Sequence, residues 1–138
     1  MSRMDRWEGS MAERTRRAII AEDNSILREL IAKALEWSGP WEIVKTIDGA
    51  EVLSALASGR KTDLVILDWK MEGLDGLECA RRIRQGEKGI DRTIPLVLVT
   101  SAGEELTEDM IREAGVTLLL RKPFTLIKLQ SAIRQIIP

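Results

Sequence analysis

The stretch LVILDWKMEGLDG, residues 64–76, begins with four large apolar side chains in succession, Leu64, Val65, Ile66 and Leu67, and then stops at Asp68. A short unbroken apolar run ended by an acid, with Gly73 and Gly76 close behind, reads as a strand buried on both faces. Such a strand belongs in the middle of a parallel sheet that has helices on either side.

The flanking sequence repeats the arrangement. Residues 18–21 form a first strand, and Ile26, Leu27, Leu30, Ile31, Ala34 and Leu35 then recur at helical spacing until Gly39 and Pro40 stop the helix. Residues 43–47 form a second strand, followed by a helix lined by Ala50, Leu53, Leu56 and Ala57 and closed by Gly59. After residues 64–67, Leu77, Ala80 and Ile83 mark a third helix, and residues 96–99 a fourth strand. Leu106, Met110, Ile111 and Ala114 mark an acid-rich fourth helix ended by Gly115. Residues 116–120 are the fifth strand, and Leu126, Leu129, Ile133 and Ile137 stripe a last helix. Right-handed crossovers leave few orders for five parallel strands, and the common one is the flavodoxin-like, doubly wound order 2-1-3-4-5 with five helices. Residues 1–16 lack an apolar period and read as a flexible N-terminal tail, which leaves 17–138 as the folded domain.

In that order strands one and three are neighbours, and ligands sit beyond their carboxyl ends. Strand one runs into Glu22 and Asp23 and strand three into Asp68, so three carboxylates from distant positions meet at one sheet edge. They repel unless they share a proton or hold a cation, and an oxygen-only donor set suits a hard ion such as Mg2+. Thr100 follows strand four and Lys122 follows strand five, which adds a hydroxyl and an ammonium to the same edge. Phosphoryl transfer needs an in-line nucleophile and positive charge around the transferred oxygens. Asp68 supplies the first, and Mg2+ with Lys122 the second, while Thr100 donates a hydrogen bond to the attached group. Taken singly, each residue has an ordinary role: Asp23 or Asn24 as a helix cap, Asp68 as a solvated loop acid, Thr100 as the close of a strand, Lys122 as a surface charge. Their convergence favours a site.

Composition narrows the setting. The 21 basic and 22 acidic side chains give a net charge of −1, so nothing in the balance points to nucleic acid. There is no histidine, so a phosphohistidine donor must be another protein. Cys79 is the lone cysteine, which rules out an internal disulfide and a cysteine-rich zinc site and points to a reducing, cytoplasmic compartment. It stands one turn into an apolar helix and reads as a partly buried small hydrophobe, not a reactive thiol. No apolar run is long enough to span a bilayer, and a chain of 138 residues leaves no room for a second folded domain.

The motifs AEDN at 21–24, LVILDWKMEGLDG at 64–76, LVTSA at 98–102 and GVTLLLRKPF at 115–124 resemble response-regulator receiver domains, the chemotaxis regulator being the simplest relative. The resemblance covers roughly residues 17–138 and rests on four ordered motifs at four strand ends. It implies a free-standing two-component switch, not an enzyme acting on other substrates, whose Asp68 takes a phosphoryl group from a histidine kinase or phosphotransfer protein. It implies that Asp23 and Asp68 bind Mg2+ directly, Glu22 through water, and the Lys70 carbonyl as a further ligand, with a cis Lys122–Pro123 bond. The downstream protein partner would use the face made by helix four, strand five and helix five. There Lys122, Lys128 and Arg134 contrast with the acids Glu105, Glu108, Asp109 and Glu113. Trp69, beside Asp68, should sense occupancy of the site.

Two positions depart from the family. Glu72 stands where a proline is usual, which could loosen the loop or add negative charge to the site. Leu119 stands where many receivers carry an aromatic ring that swings with the threonine, so switching here is expected to rely on the Thr100 loop and the fourth helix. Two rivals remain. One is a receiver-like interaction module that is never phosphorylated. The other is a haloacid-dehalogenase-like phosphatase, which needs a second aspartate where Lys70 stands.

Overall fold

In the computed structural model, which describes residues 15–101 and 105–137, five strands alternate with five α-helices. They are β1 (Arg16–Ala21), α1 (Ser25–Glu36), β2 (Trp41–Thr46), α2 (Gly49–Leu56), β3 (Leu64–Asp68), α3 (Gly76–Arg84), β4 (Leu96–Thr100), α4 (Glu108–Ala114), β5 (Leu118–Arg121) and α5 (Leu126–Ile136). A single 3-10 turn follows α3 at Glu87–Gly89. The strands are all parallel in the order β2-β1-β3-β4-β5, as the sequence predicts. Except for Thr15 and Arg16, the expected tail at 1–16 lies outside the described residues, as does Ala102 of the LVTSA motif.

Successive residues of the central strands point to opposite faces and build two separate cores. Ile19, Val65, Leu67, Leu96 and Leu98 pack with α2, α3 and α4. Ala18, Ile20, Leu64, Ile66, Val97 and Val99 pack with α1 and α5. Every residue of β3 is buried, which is what its unbroken apolar run requires.

Each α-helix starts where a polar residue caps it. Asn24, Asp48, Asp75, Thr107 and Thr125 each accept a hydrogen bond from the backbone N–H three residues on. Leu106, expected on the fourth helix, therefore lies just ahead of it, buried in the core, and the helix begins at Glu108.

Three differences from the sequence reading share one physical cause, that hydrophobicity alone does not measure burial. The first strand begins at Arg16, before the apolar run, because Arg17 is buried by pairing. Its Nε lies 3.1 Å from Glu42 Oε1 and its Nη1 donates to Thr62 Oγ1 at 2.6 Å. The second strand spans Trp41–Thr46, and Ile47 falls in the turn with its side chain exposed. Ile26 and Leu30 belong to α1 but face solvent, so the helix buries a narrower stripe, Ile31, Ala32, Ala34 and Leu35.

Candidate functional site

Sheet register brings the expected residues together. Ala21 pairs with Leu67, so Glu22 follows β1 level with Asp68 at the end of β3. Asp68 pairs with Val99, and Thr100 pairs with Arg121, so Thr100 and Lys122 each lie one step beyond their neighbour. The ladder continues past the strand ends: Glu22 N donates to Thr46 O at 3.2 Å, Trp69 N to Val99 O at 2.8 Å, and Lys122 N to Thr100 O at 2.8 Å.

Carboxylate oxygens of Glu22, Asp23 and Asp68 all lie within 4.8 Å of one another. Glu22 and Asp68 are buried and Asp23 is exposed, which opens the cluster to solvent on the α1 side. Lys122 reaches over from β5, its Nζ 3.3 Å from Glu22 Oε1 and 3.4 Å from Asp68 Oδ1. Thr100 is almost wholly buried. Lys122–Pro123 is cis, as the resemblance implies.

Asn24, not Asp23, caps α1: its Oδ1 accepts from Leu27 N at 3.0 Å. Its own N–H donates to Glu22 Oε2 at 3.1 Å. Capping thus falls to Asn24, and Asp23 is left to the acidic cluster. Arg28, in the first turns of α1, donates from Nη1 to the Glu22 carbonyl at 2.7 Å. Sequence reading passed over Arg28. Its one local signal was a cation near a helix N-terminus, where the dipole disfavours positive charge.

Burial pushes the Glu22 carboxyl up to about 7, reinforced by the charge of Asp68 and opposed by the Asn24 N–H and by Lys122. Burial likewise raises Asp68 above the ordinary aspartate value, against the pull of Lys122. Glu22 Oε1 is buried and faces the Lys122 ammonium, which also serves Asp68 Oδ1, so one positive charge is shared among the three carboxylates. An all-oxygen cluster with more carboxylates than neighbouring cations fits a hard divalent cation.

The loop from Asp68 to α3 is held tightly. Trp69 and Met71 are buried in the core, and Gly76 N donates to Trp69 O at 3.0 Å. A Cβ on Gly76 would come within 2.2 Å of the Asp68 carbonyl oxygen, so only glycine lets α3 start this close to Asp68. Glu72 is exposed within this loop. The Lys70 side chain is mostly exposed, its Nζ lying 4.1 Å from the centroid of the Trp69 ring and 3.7 Å from Glu105 Oε2. Leu119 is half-buried and packs against the core on the α4 side. Cys79 is buried and its thiol is pushed up to about 12 by desolvation, the behaviour of an inert core residue. Among the described residues no helix is long and apolar enough to cross a membrane.

Known proteins share both sequence and architecture with this chain. It is 36% identical over 107 residues to the phosphate regulon transcriptional regulatory protein PhoB of Pseudomonas aeruginosa, an alignment that covers 78% of this chain and 45% of that protein. The chain thus spans less than half the length of that relative. It is 28% identical over 107 residues to the chemotaxis protein CheY homolog of Campylobacter jejuni, covering 78% of this chain and 81% of that one. Among solved structures, the receiver domain of the sensor histidine kinase PA1611 from Pseudomonas aeruginosa superposes with a TM-score of 0.76 at 25% identity, covering 89% of this chain and 98% of that one. That structure holds a magnesium ion coordinated in the active-site cleft. The family model for the response regulator receiver domain matches residues 18–134, and with strand order, register and acidic edge all in agreement, the chain belongs to that family.

Proposed function

We propose that this chain is a phosphoryl-accepting switch in two-component signalling, with Asp68 as acceptor and Mg2+ as resident ion. The observation that carries the reading is the gathering of Glu22, Asp23 and Asp68 within 4.8 Å at a sheet edge that Lys122 also reaches. The acting unit is residues 17–138, with 1–16 a tail. Asp23 and Asp68 would hold the ion directly, Glu22 through water, and the Lys70 backbone carbonyl would complete the protein's share. Once bound, Mg2+ supplies charge neutralisation to the phosphoryl oxygens during transfer.

The chain's own groups do the rest. An Asp68 carboxylate oxygen attacks phosphorus in line; the new O–P bond forms as the P–N bond to the donor's imidazole breaks, and the electron pair leaves with that imidazole. Lys122, already paired with Asp68, stabilises the negative charge that arrives on the phosphoryl oxygens. The Thr100 hydroxyl then donates to the attached group, and its movement inward carries the change along the loop to α4. Because the chain has no histidine, the donor is a histidine kinase or phosphotransfer protein. The chain's own chemistry is limited to gaining and losing its phosphoryl group.

Output goes to a protein partner on the face formed by α4, β5 and α5, where Leu118, Leu119, exposed Ile127 and Lys128 line an open groove. The buried, unpaired Cys79 suits a reducing cytoplasm. Titrating Mg2+ with and without beryllofluoride, while following tryptophan emission, tests the reading. Saturable changes with each are expected, since Trp69 is buried beside the acceptor. A response to neither would leave only an interaction module, and catalytic turnover of phosphate esters would instead favour a phosphatase.

A further inference from the structure

Arg28 makes a contact that its own helix does not explain. It lies at the end of the first turn of α1, a turn with no acidic residue, so its charge faces the positive end of the helix dipole. Its guanidinium turns back along the chain and donates to the Glu22 carbonyl at 2.7 Å, the short distance of a charge-assisted bond. This carbonyl belongs to the first residue beyond β1, where the ladder with β3 has ended at Ala21.

The Glu22 carbonyl is part of the peptide unit that joins Glu22 to Asp23. A peptide is planar, so pinning its oxygen also pins the N–H and Cα of Asp23. On the other side, Asn24 N is tied to Glu22 Oε2 at 3.1 Å, and Asn24 O accepts from Arg28 N at 2.9 Å. Asp23 is the one exposed member of the cluster, without the packing that holds Glu22 and Asp68. Its carboxylate can be aimed only through its backbone, and Arg28 holds that backbone from the upstream side.

We infer that Arg28 is a positioning residue of the metal site, acting through the Glu22–Asp23 peptide to aim the Asp23 carboxylate at the ion. This rests on the proposed Mg2+ site and adds to it a residue that touches neither ion nor phosphoryl group. Partners that orient metal ligands in this way typically govern about ten- to a hundredfold in metal affinity.

The test titrates Mg2+ alone into the full chain and follows the backbone amide resonances of Asp23 and Trp69, with thermal unfolding measured in parallel. Arg28→Met keeps the aliphatic length and removes the donors, and should raise the Mg2+ dissociation constant about tenfold while the metal-free unfolding midpoint stays near that of the parent. Arg28→Lys, with a single ammonium that can reach the same carbonyl, should recover part of the affinity. If the parent saturates and Arg28→Met saturates at the same Mg2+ concentration, the inference is overturned. If the parent itself shows no saturable change, the metal site fails, and with it the proposed function. Should Arg28→Met not fold, Arg28→Gln decides instead: weakened binding supports the assignment and parental affinity overturns it.

Discussion

Lys122 Nζ stands 3.3 Å from Glu22 Oε1 and 3.4 Å from Asp68 Oδ1, so one ammonium serves two buried carboxylates before any phosphoryl group arrives. Removing it takes away charge stabilisation from the transferred group, and Lys122→Met should slow labelling by acetyl phosphate roughly a hundredfold at saturating Mg2+. A labelling rate within a factor of two of the parent would show that the ammonium is not used. Thr100 acts later in the scheme. Thr100→Ala should still accept a phosphoryl group, but superposed free and beryllofluoride-bound structures should show the inward movement of the β4–α4 loop in the parent and not in the variant. An unmoved loop in the parent would contradict this route and leave Leu119, which has no ring to swing, without a substitute mechanism. The five side chains of the candidate site were legible because each is an acid, hydroxyl or ammonium within two residues of the end of an apolar run. Arg28 was not, because its role depends on a backbone carbonyl that no residue pattern encodes.

The strands were readable at the scale of elements because burial on both faces leaves unbroken apolar runs, as in β3 and β4. The sequence pattern misled where charge is buried by pairing, as at Arg17 beside Glu42 and Thr62, and where apolar side chains face water, as at Ile26. Helix starts followed capping more faithfully than hydrophobicity, as Thr107 shows by placing Leu106 outside α4. The junction of β3 with α3 has the least tolerance. A Cβ at residue 76 would lie 2.2 Å from Asp68 O and 3.1 Å from Leu98 Cδ1, and neither strand can retreat without opening the sheet. Gly76→Ala should therefore cost about 3 kcal/mol in denaturant unfolding and weaken Mg2+ binding through displacement of Asp68. Unchanged stability would mean that α3 can shift away from Asp68.

Across the whole molecule, the buried acidic edge is a source of instability that the proposed cation would relieve. The Glu22 carboxyl is raised from 4.5 to about 7, chiefly by burial, so the folded state favours its protonated form. In metal-free protein the corresponding stabilisation is complete below about pH 4.5 and is lost as pH rises through about 7. With a chelator present, the unfolding midpoint should fall between about pH 5 and about pH 8; with Mg2+ the fall should be offset. Mg2+ at a hundred times its dissociation constant should add about 2.7 kcal/mol, and a midpoint insensitive to the ion at pH 8 would count against the site. The central claim is that Asp68 is the atom donor to the phosphoryl bond. The most direct measurement is intact-mass and peptide mapping after incubation with acetyl phosphate and Mg2+, comparing the parent with Asp68→Asn. The account predicts one added phosphoryl group, mapped to Asp68, absent from the variant and absent when Mg2+ is chelated. Equal labelling of Asp68→Asn at the parental rate would contradict it.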